Sequence, residues 1–295
     1  MTRPPTSDLV LLTVAVLATS ASAPLVRGAH APTLAIAFWR NALAFMVFAP
    51  IVLVRQRAAL RSLSRDERRL SVIAGLFLAA HFATWIPSIS YTSVASSVAL
   101  VLTQPIWAAL IARARGDEVP RAAWAGIALA FAGAVALSGV DLSIAPRALF
   151  GDALALAGGV FAAAYVTIGA DVRRSVSTGV YVTICYGTAS VGLLVLCLGG
   201  RQELGGYNGA TWLSVAAIVA GPQLLGHTVV NRVLRTTSPT VVSVALLFEI
   251  IGATALAWAF FDETPPAAAW PAGALIATGI VLVVRSGREP AAPVD

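Results

Sequence analysis

Glu249 stands inside the apolar run VVSVALLFEIIGATALAWAFF. If the span around it covers 239–260, its carboxyl lies roughly 15 Å from the start, at 1.5 Å per residue. An ionisable group at that depth costs about 2.5–3.5 kcal/mol on insertion scales, so such groups turn to a cavity or a partner. Two chemistries suit it: binding a substrate amine, or carrying a proton. The alternative is a neutral acid hydrogen-bonded to a neighbouring helix, holding the fold together. Gln104, at the corresponding place in the first half of the chain, is a softer candidate for the same work.

Gln223, His227 and Asn231 recur every four residues, which puts them on one helix face. That stripe either lines a pore, with His227 as a proton-responsive group, or supplies interhelical hydrogen bonds. Asn231 could equally cap its helix beside Arg232. His81, Trp85 and Ser88 share another face and would suit a planar or cationic metabolite. Packing accounts for the same residues, and for Trp107 and Tyr165, the weaker aromatic candidates. Trp39 fits an interfacial aromatic belt. Arg40 lies about 12 Å into a span that starts at Pro32. It either attracts an anionic substrate group or pairs with Glu249, or, if the helix starts later, it snorkels to the interface.

The composition says what must position these groups. Of the 295 residues, 58% are hydrophobic and 12% charged, against about 25% charged in soluble domains. With a mean hydropathy of +0.83, the chain belongs in a bilayer. Taking about 20 apolar residues per crossing, ten spans are expected: 9–26, 32–54, 71–91, 94–112, 122–140, 148–169, 178–199, 210–231, 239–260 and 267–284. The stretch from Leu70 to Ala112 holds no charged residue over 43 positions, enough for two spans with a break near Ser90, Tyr91 and Thr92. Arg3, the apolar run after it and Ala21-Ser22-Ala23 also resemble a signal peptide, but its removal would destroy the repeat described below.

All 20 basic residues are arginine, and lysine is absent, which excludes lysine Schiff-base chemistry. With an inside N-terminus, sixteen arginines fall in inside segments, six of them between Arg55 and Arg69, where they set topology and meet anionic lipid. Three, Arg27, Arg147 and Arg201, fall outside. The bias predicts both termini in the cytoplasm, and the lysine-free, alanine-rich composition suggests a bacterial plasma membrane. These arginines belong to loops and do not point to nucleic acid, despite the net charge of +6. Cys185 and Cys197 share one apolar run, so no disulfide framework is expected. Three scattered histidines make no metal site, no phosphate-binding Gly-Lys loop is present, and no cofactor is expected.

The chain repeats itself. Ser97-Val98-Ala99-Leu100 recurs as Ser243-Val244-Ala245-Leu246, and Asp117-Glu118 as Asp262-Glu263. Pro120, Trp124 and Gly133 match Pro265, Trp270 and Gly279, always 145 or 146 residues on. With five spans per copy, the second copy enters the membrane from the opposite side. The fold expected is therefore an all-α membrane protein of ten transmembrane helices in two inverted five-helix repeats, 1–140 and 141–295, forming one membrane domain. Secondary transporters use this symmetry, with the substrate between the halves.

The run TQPIWAALIARARGDEVPRAAWAGIALAFAGAVAL resembles the end of an EamA-type repeat of the drug/metabolite transporter superfamily, in its Pro105, Gly116, Glu118, Gly126 and Gly133. The second-half entry GDALALAGGVFAAAYV, and residues 32–41 ending in Phe38-Trp39-Arg40-Asn41, are similar to the same family. One departure is that Ile250 stands where Pro105 is matched, removing a helix-loosening proline, so the halves need not flex alike. The resemblance implies a cavity between the halves that opens alternately to either side and carries small molecules, often outward. The expectation is a non-enzymatic secondary transporter of a metabolite, amino acid or drug-like solute, with protons as one possible coupling ion. The competing expectations are a membrane scaffold and a lipid-modifying enzyme. The Asp117-Glu118 and Asp262-Glu263 pairs read as solvated turn residues.

Overall fold

The computed structural model describes residues 6–116, 118–144, 147–233, 245–265, 267 and 269–286. Among these residues the regular structure is entirely helical. The first crossing is α1 (Thr6–Ser20) and α2 (Ser22–Gly28), parted at Ala21; the second is α3 (Thr33–Arg55). A short surface helix, α4 (Arg57–Arg61), leads to α5 (Arg65–Ser88). Ser64 starts α5 with a reciprocal capping box: its hydroxyl accepts from Glu67 N, and its own N–H donates to Glu67 Oε2 at 2.8 Å.

The expected break after the third span is present. Helix α5 stops at Ser88 and α6 (Val94–Val101) begins behind Ser93, whose hydroxyl accepts from Ser96 N at 3.0 Å. The fourth crossing is itself interrupted at Leu102–Thr103 before α7 (Gln104–Ala114). There follow α8 (Arg121–Ile144), α9 (Ala148–Val172) and α10 (Thr178–Gly199). The next crossing is composite: α11 (Gly209–Ile218), a π-helical segment Val219–His227 and α12 (Thr228–Val233). The described chain ends with α13 (Phe248–Phe261) and α14 (Ala269–Ser286).

Among the described residues seven stretches are long and apolar enough to cross a membrane, and three shorter apolar helices, Arg121–Ala134, Phe248–Phe261 and Trp270–Leu282, lie within the expected fifth, ninth and tenth spans. Val54 at 82% and Phe260 at 74% exposure exemplify an outer face that is apolar, as lipid requires. The start of the expected ninth span, Ser243 and Val244 of the repeated tetrapeptide, Asp117, and the terminal Arg3 and Arg288 lie outside the described residues.

Two expectations are corrected by the backbone. Glu249 is not ten residues deep in one continuous helix: it lies in the first turn of α13, just after a turn at Leu247. This mirrors the interruption at Leu102–Thr103. Both fourth helices of the repeat are broken, although only the first has a proline there, so the lost proline does not abolish the break. The eighth crossing is wound as a π-helix where α-periodicity was assumed. Pro222 lies inside it and lacks an N–H to give, and Thr228 Oγ1 donates to Gln223 O, five residues back, at 3.0 Å.

The halves meet most closely between α8 and α14. A Cβ on Gly133 would lie 2.8 Å from both Ala272 O and Ile276 N; one on Gly279 would lie 2.5 Å from both Gly126 O and Ala130 N. Gly126, Ala130 and Gly133 correspond to Ala272, Ile276 and Gly279 at one common offset of 146 residues, so the contact is reciprocal. Only hydrogen side chains permit backbones this close.

Candidate functional site

A cavity of about 130 Å³ opens where the two interrupted helices face each other. Its wall includes Val101, Leu102 and Gln104 from the first break, and Leu246 and Glu249 from the second. Thr19, His81, Trp85, Tyr165, His227 and Asn231 complete its polar lining. These residues are related in pairs by the repeat. Thr19 and Tyr165, His81 and His227, and Trp85 and Asn231 are each 146 residues apart; Val101 and Leu246, and Gln104 and Glu249, are each 145 apart. The cavity therefore lies between equivalent positions of the two halves. A larger groove of about 420 Å³, lined by Ala99, Phe248, Ile251 and Trp270 among others, is almost wholly apolar, with Thr254 and the Trp270 indole as its polar groups among the described residues.

The wall is fixed by its own hydrogen bonds. His81 Nδ1 lies 2.9 Å from Gly158 O; a carbonyl only accepts, so Nδ1 carries the hydrogen and a neutral ring leaves Nε2 as an acceptor. The His81 ring stacks on Trp85 at 5.7 Å and 8°. His227 meets the edge of Phe82 at 6.0 Å. Asn231 Nδ2 donates to Tyr165 Oη at 3.4 Å and its Oδ1 accepts from Arg173 Nη1 at 3.5 Å. Asn231 thus faces the cavity and does not act as the helix cap. Among the described residues Glu249 is the sole carboxyl in the wall, buried and within electrostatic reach of Thr19 and Arg40.

Of the nine residues expected in a site, Glu249, His227, Gln104, His81, Trp85 and Tyr165 line this cavity; the other three do not. Trp107 Nε1 donates to Thr103 Oγ1 at 3.0 Å and braces the first helix break. Arg40 and Gln223 lie behind the wall and hold each other: Arg40 Nε donates to Gln223 Oε1 at 2.5 Å, and Nη1 to Ser22 Oγ at 3.1 Å. The guanidinium rests 4.3 Å from the Phe82 centroid and 5.9 Å from that of Trp85. It is fully buried, so it does not snorkel, and it makes no ion pair with Glu249. Ser88, expected beside His81 and Trp85, instead bonds Ser97 Oγ at 2.7 Å, away from the cavity.

Glu263 is not the solvated turn residue that its sequence context predicts. Its Oε2 takes a 2.9 Å ion pair from Arg27, and its Oε1 accepts from Val94 N at 2.5 Å. Arg27 Nη2 also donates to Thr92 O at 3.1 Å. Thr92 in turn gives its hydroxyl to Asp152 Oδ1 at 2.9 Å. Four crossings are fastened together at this end, while Asp262 and Glu118 remain exposed. The repeat itself pointed to paired cavity residues, since His81 and His227 share its offset; nothing local in the sequence pointed to Arg27 or Thr19.

A many-helix apolar bundle with broken helices around a polar cavity is the architecture of a membrane transport protein. The EamA-like transporter family model matches residues 6–139 and again 149–285, and the chain belongs to that family. No curated protein matches it. A solved crystal structure superimposes with a TM-score of 0.66 at 22% identity, covering 94% of this chain and 97% of the other, which establishes a shared fold.

Proposed function

We propose that the protein is a secondary transporter that moves a small metabolite, amino acid or drug-like solute through the cavity between its halves by alternating access. The halves are the five-span units 1–140 and 141–295, inverted in a plasma membrane with both termini cytoplasmic, and the direction is export. One observation carries the reading: the polar cavity wall is built from repeat-related pairs, among them His81 with His227 and Gln104 with Glu249. A site between equivalent positions can be exposed to either side by exchanging the conformations of the two halves. Glu249 is the group that would meet a solute amine or carry a coupling proton, and His227 is the second proton candidate.

The test compares metabolites in medium and cytoplasm of cells expressing the native chain or an expression-matched Glu249→Gln variant. A solute shifted by the native chain alone supports transport through Glu249. Equal shifts by both leave Glu249 a structural role, and flux indifferent to an imposed proton gradient removes proton coupling. A membrane-inserted native chain that shifts no solute, across a panel of amines, amino acids and drug-like compounds, overturns the reading.

A further inference from the structure

Two buried N–H donors around Arg40, its own Nη2 and Trp85 Nε1, have no acceptor within the protein, and Gln223 Nε2 has only the Tyr186 phenol beside it. Their residues touch one another. Gln223 holds Arg40 through its Oε1, and the Arg40 guanidinium lies over the Trp85 ring. Arg40 and Gln223 are 0% exposed and Trp85 3%. Among the described residues Arg40 has no carboxylate within 4 Å. Buried donors are nearly always satisfied, and a buried cation is ordinarily paired, so a cluster of donors around an unpaired cation asks for an acceptor that carries negative charge.

Symmetry shows that packing does not demand this charge. The position 146 residues after Arg40 is Tyr186, a neutral phenol bonded to Thr228 at 3.2 Å; Thr228 is the counterpart of Phe82, on which Arg40 rests. The equivalent position in the other half carries no cation, and its phenol adjoins Arg40 and Gln223 in the same cluster. The cluster adjoins the cavity: Trp85 belongs both to the donor cluster and to the cavity wall, with Arg40 and Gln223 directly behind it.

We propose that Arg40, Gln223 and Trp85 form an anion subsite beside the cavity, taking a single negatively charged acceptor. Two sources share that chemistry: a carboxylate on the solute, or a free halide bound alongside it. The carboxylate source rests on the transport reading, whereas the subsite itself does not. A solute carboxylate here and Glu249 across the wall would select molecules by the separation of their charges.

The experiment is titration calorimetry on the full chain in lipid nanodiscs, with sodium acetate, its neutral isostere acetamide, and sodium chloride at constant ionic strength. Acetate or chloride should bind saturably and acetamide should bind at least tenfold more weakly. Saturation by acetate alone assigns the acceptor to a solute carboxylate; saturation by chloride, displacing acetate, assigns it to a free halide. Trp85→Phe keeps the ring and removes one donor, and should weaken binding about tenfold, as expected for one hydrogen bond to a charged group. Arg40→Gln should abolish it. Absence of saturation by either anion would mean that the donors are merely hydrated and would overturn the proposal, as would equal binding of acetate and acetamide, or a Trp85→Phe protein that binds as the native one does. Anion binding in a chain that moves no solute in proteoliposomes would sink the transport reading and keep the subsite; solute flux without anion binding would do the reverse.

Discussion

Arg27 and Glu263, 236 residues apart in the chain, meet at 2.9 Å and tie the end of the first crossing to the end of α13. Because Glu263 also accepts from Val94 N and Arg27 donates to Thr92 O, the pair closes over the start of α6 as well. The side chains retain 29% and 23% exposure, so solvent screening limits the pair to on the order of 1 kcal/mol. That is enough to shift a two-state opening about fivefold. Glu263→Gln should therefore raise, by about that factor, the rate at which a membrane-impermeant thiol reagent added from this side labels a Leu102→Cys reporter in the cavity. The native Cys185 and Cys197 are buried and give little background. An unchanged labelling rate would mean that the pair does not hold this end shut.

Arg40→Lys should be poorly tolerated although it conserves charge. One ammonium cannot reproduce the planar fork that bonds Gln223 and Ser22 while lying over Phe82. Leaving one of those acceptors buried and unpaired costs about 1–3 kcal/mol. Thermal unfolding in detergent is the measurement, with Arg57→Lys on the exposed surface helix α4 as the control that should show no change.

Gly279→Ala should destabilise the protein by about 1–3 kcal/mol, because its methyl group would meet backbone atoms of α8 at 2.5 Å. Gly273→Ala, on the same helix, has nothing within 4 Å of its Cβ and should be neutral or slightly stabilising. Equal melting temperatures for the two variants would show that α8 and α14 can separate at no cost.

Backbone amides between Ala220 and Leu225 should exchange hydrogen at least about tenfold faster than those of α10. A π turn has fewer well-formed hydrogen bonds to break, and Pro222 contributes none. Hydrogen exchange resolved by mass spectrometry in nanodiscs reads this directly. Protection equal to that of α10 would show that the π segment is as firmly held as an α-helix.

Much of the architecture was legible because lipid makes a simple demand. The long charge-free run from Leu70 to Ala112 had to fold back on itself, and it does so between Ser88 and Val94. The depth of Arg40 along its helix left both a buried role and snorkelling open; the helix start at Thr33 and full burial decide for the former, and its partners were not legible, since Ser22 and Gln223 come from other crossings. α-periodicity puts Gln223 and His227 on one stripe, either lining a pore or bonding between helices; with the π winding between them, Gln223 bonds Arg40 behind the wall while His227 lines it. Glu263 looked solvated because its turn is polar, and its cation lies in the opposite half. Short-range pattern reads depth and facing; it does not read which distant helix arrives to meet a side chain.

The reciprocal contact of Gly133 and Gly279 has a mechanical meaning. If the halves trade conformations during a transport cycle, a contact between non-equivalent positions is exchanged for its repeat-related counterpart, but one between equivalent helices, such as α8 with α14, is its own counterpart and is returned unchanged. It can serve as a pivot that neither opens nor closes. Displacement then grows with distance from that axle, so the farthest ends of the crossings sweep through the widest arc while each glycine stays against the backbone of the facing helix.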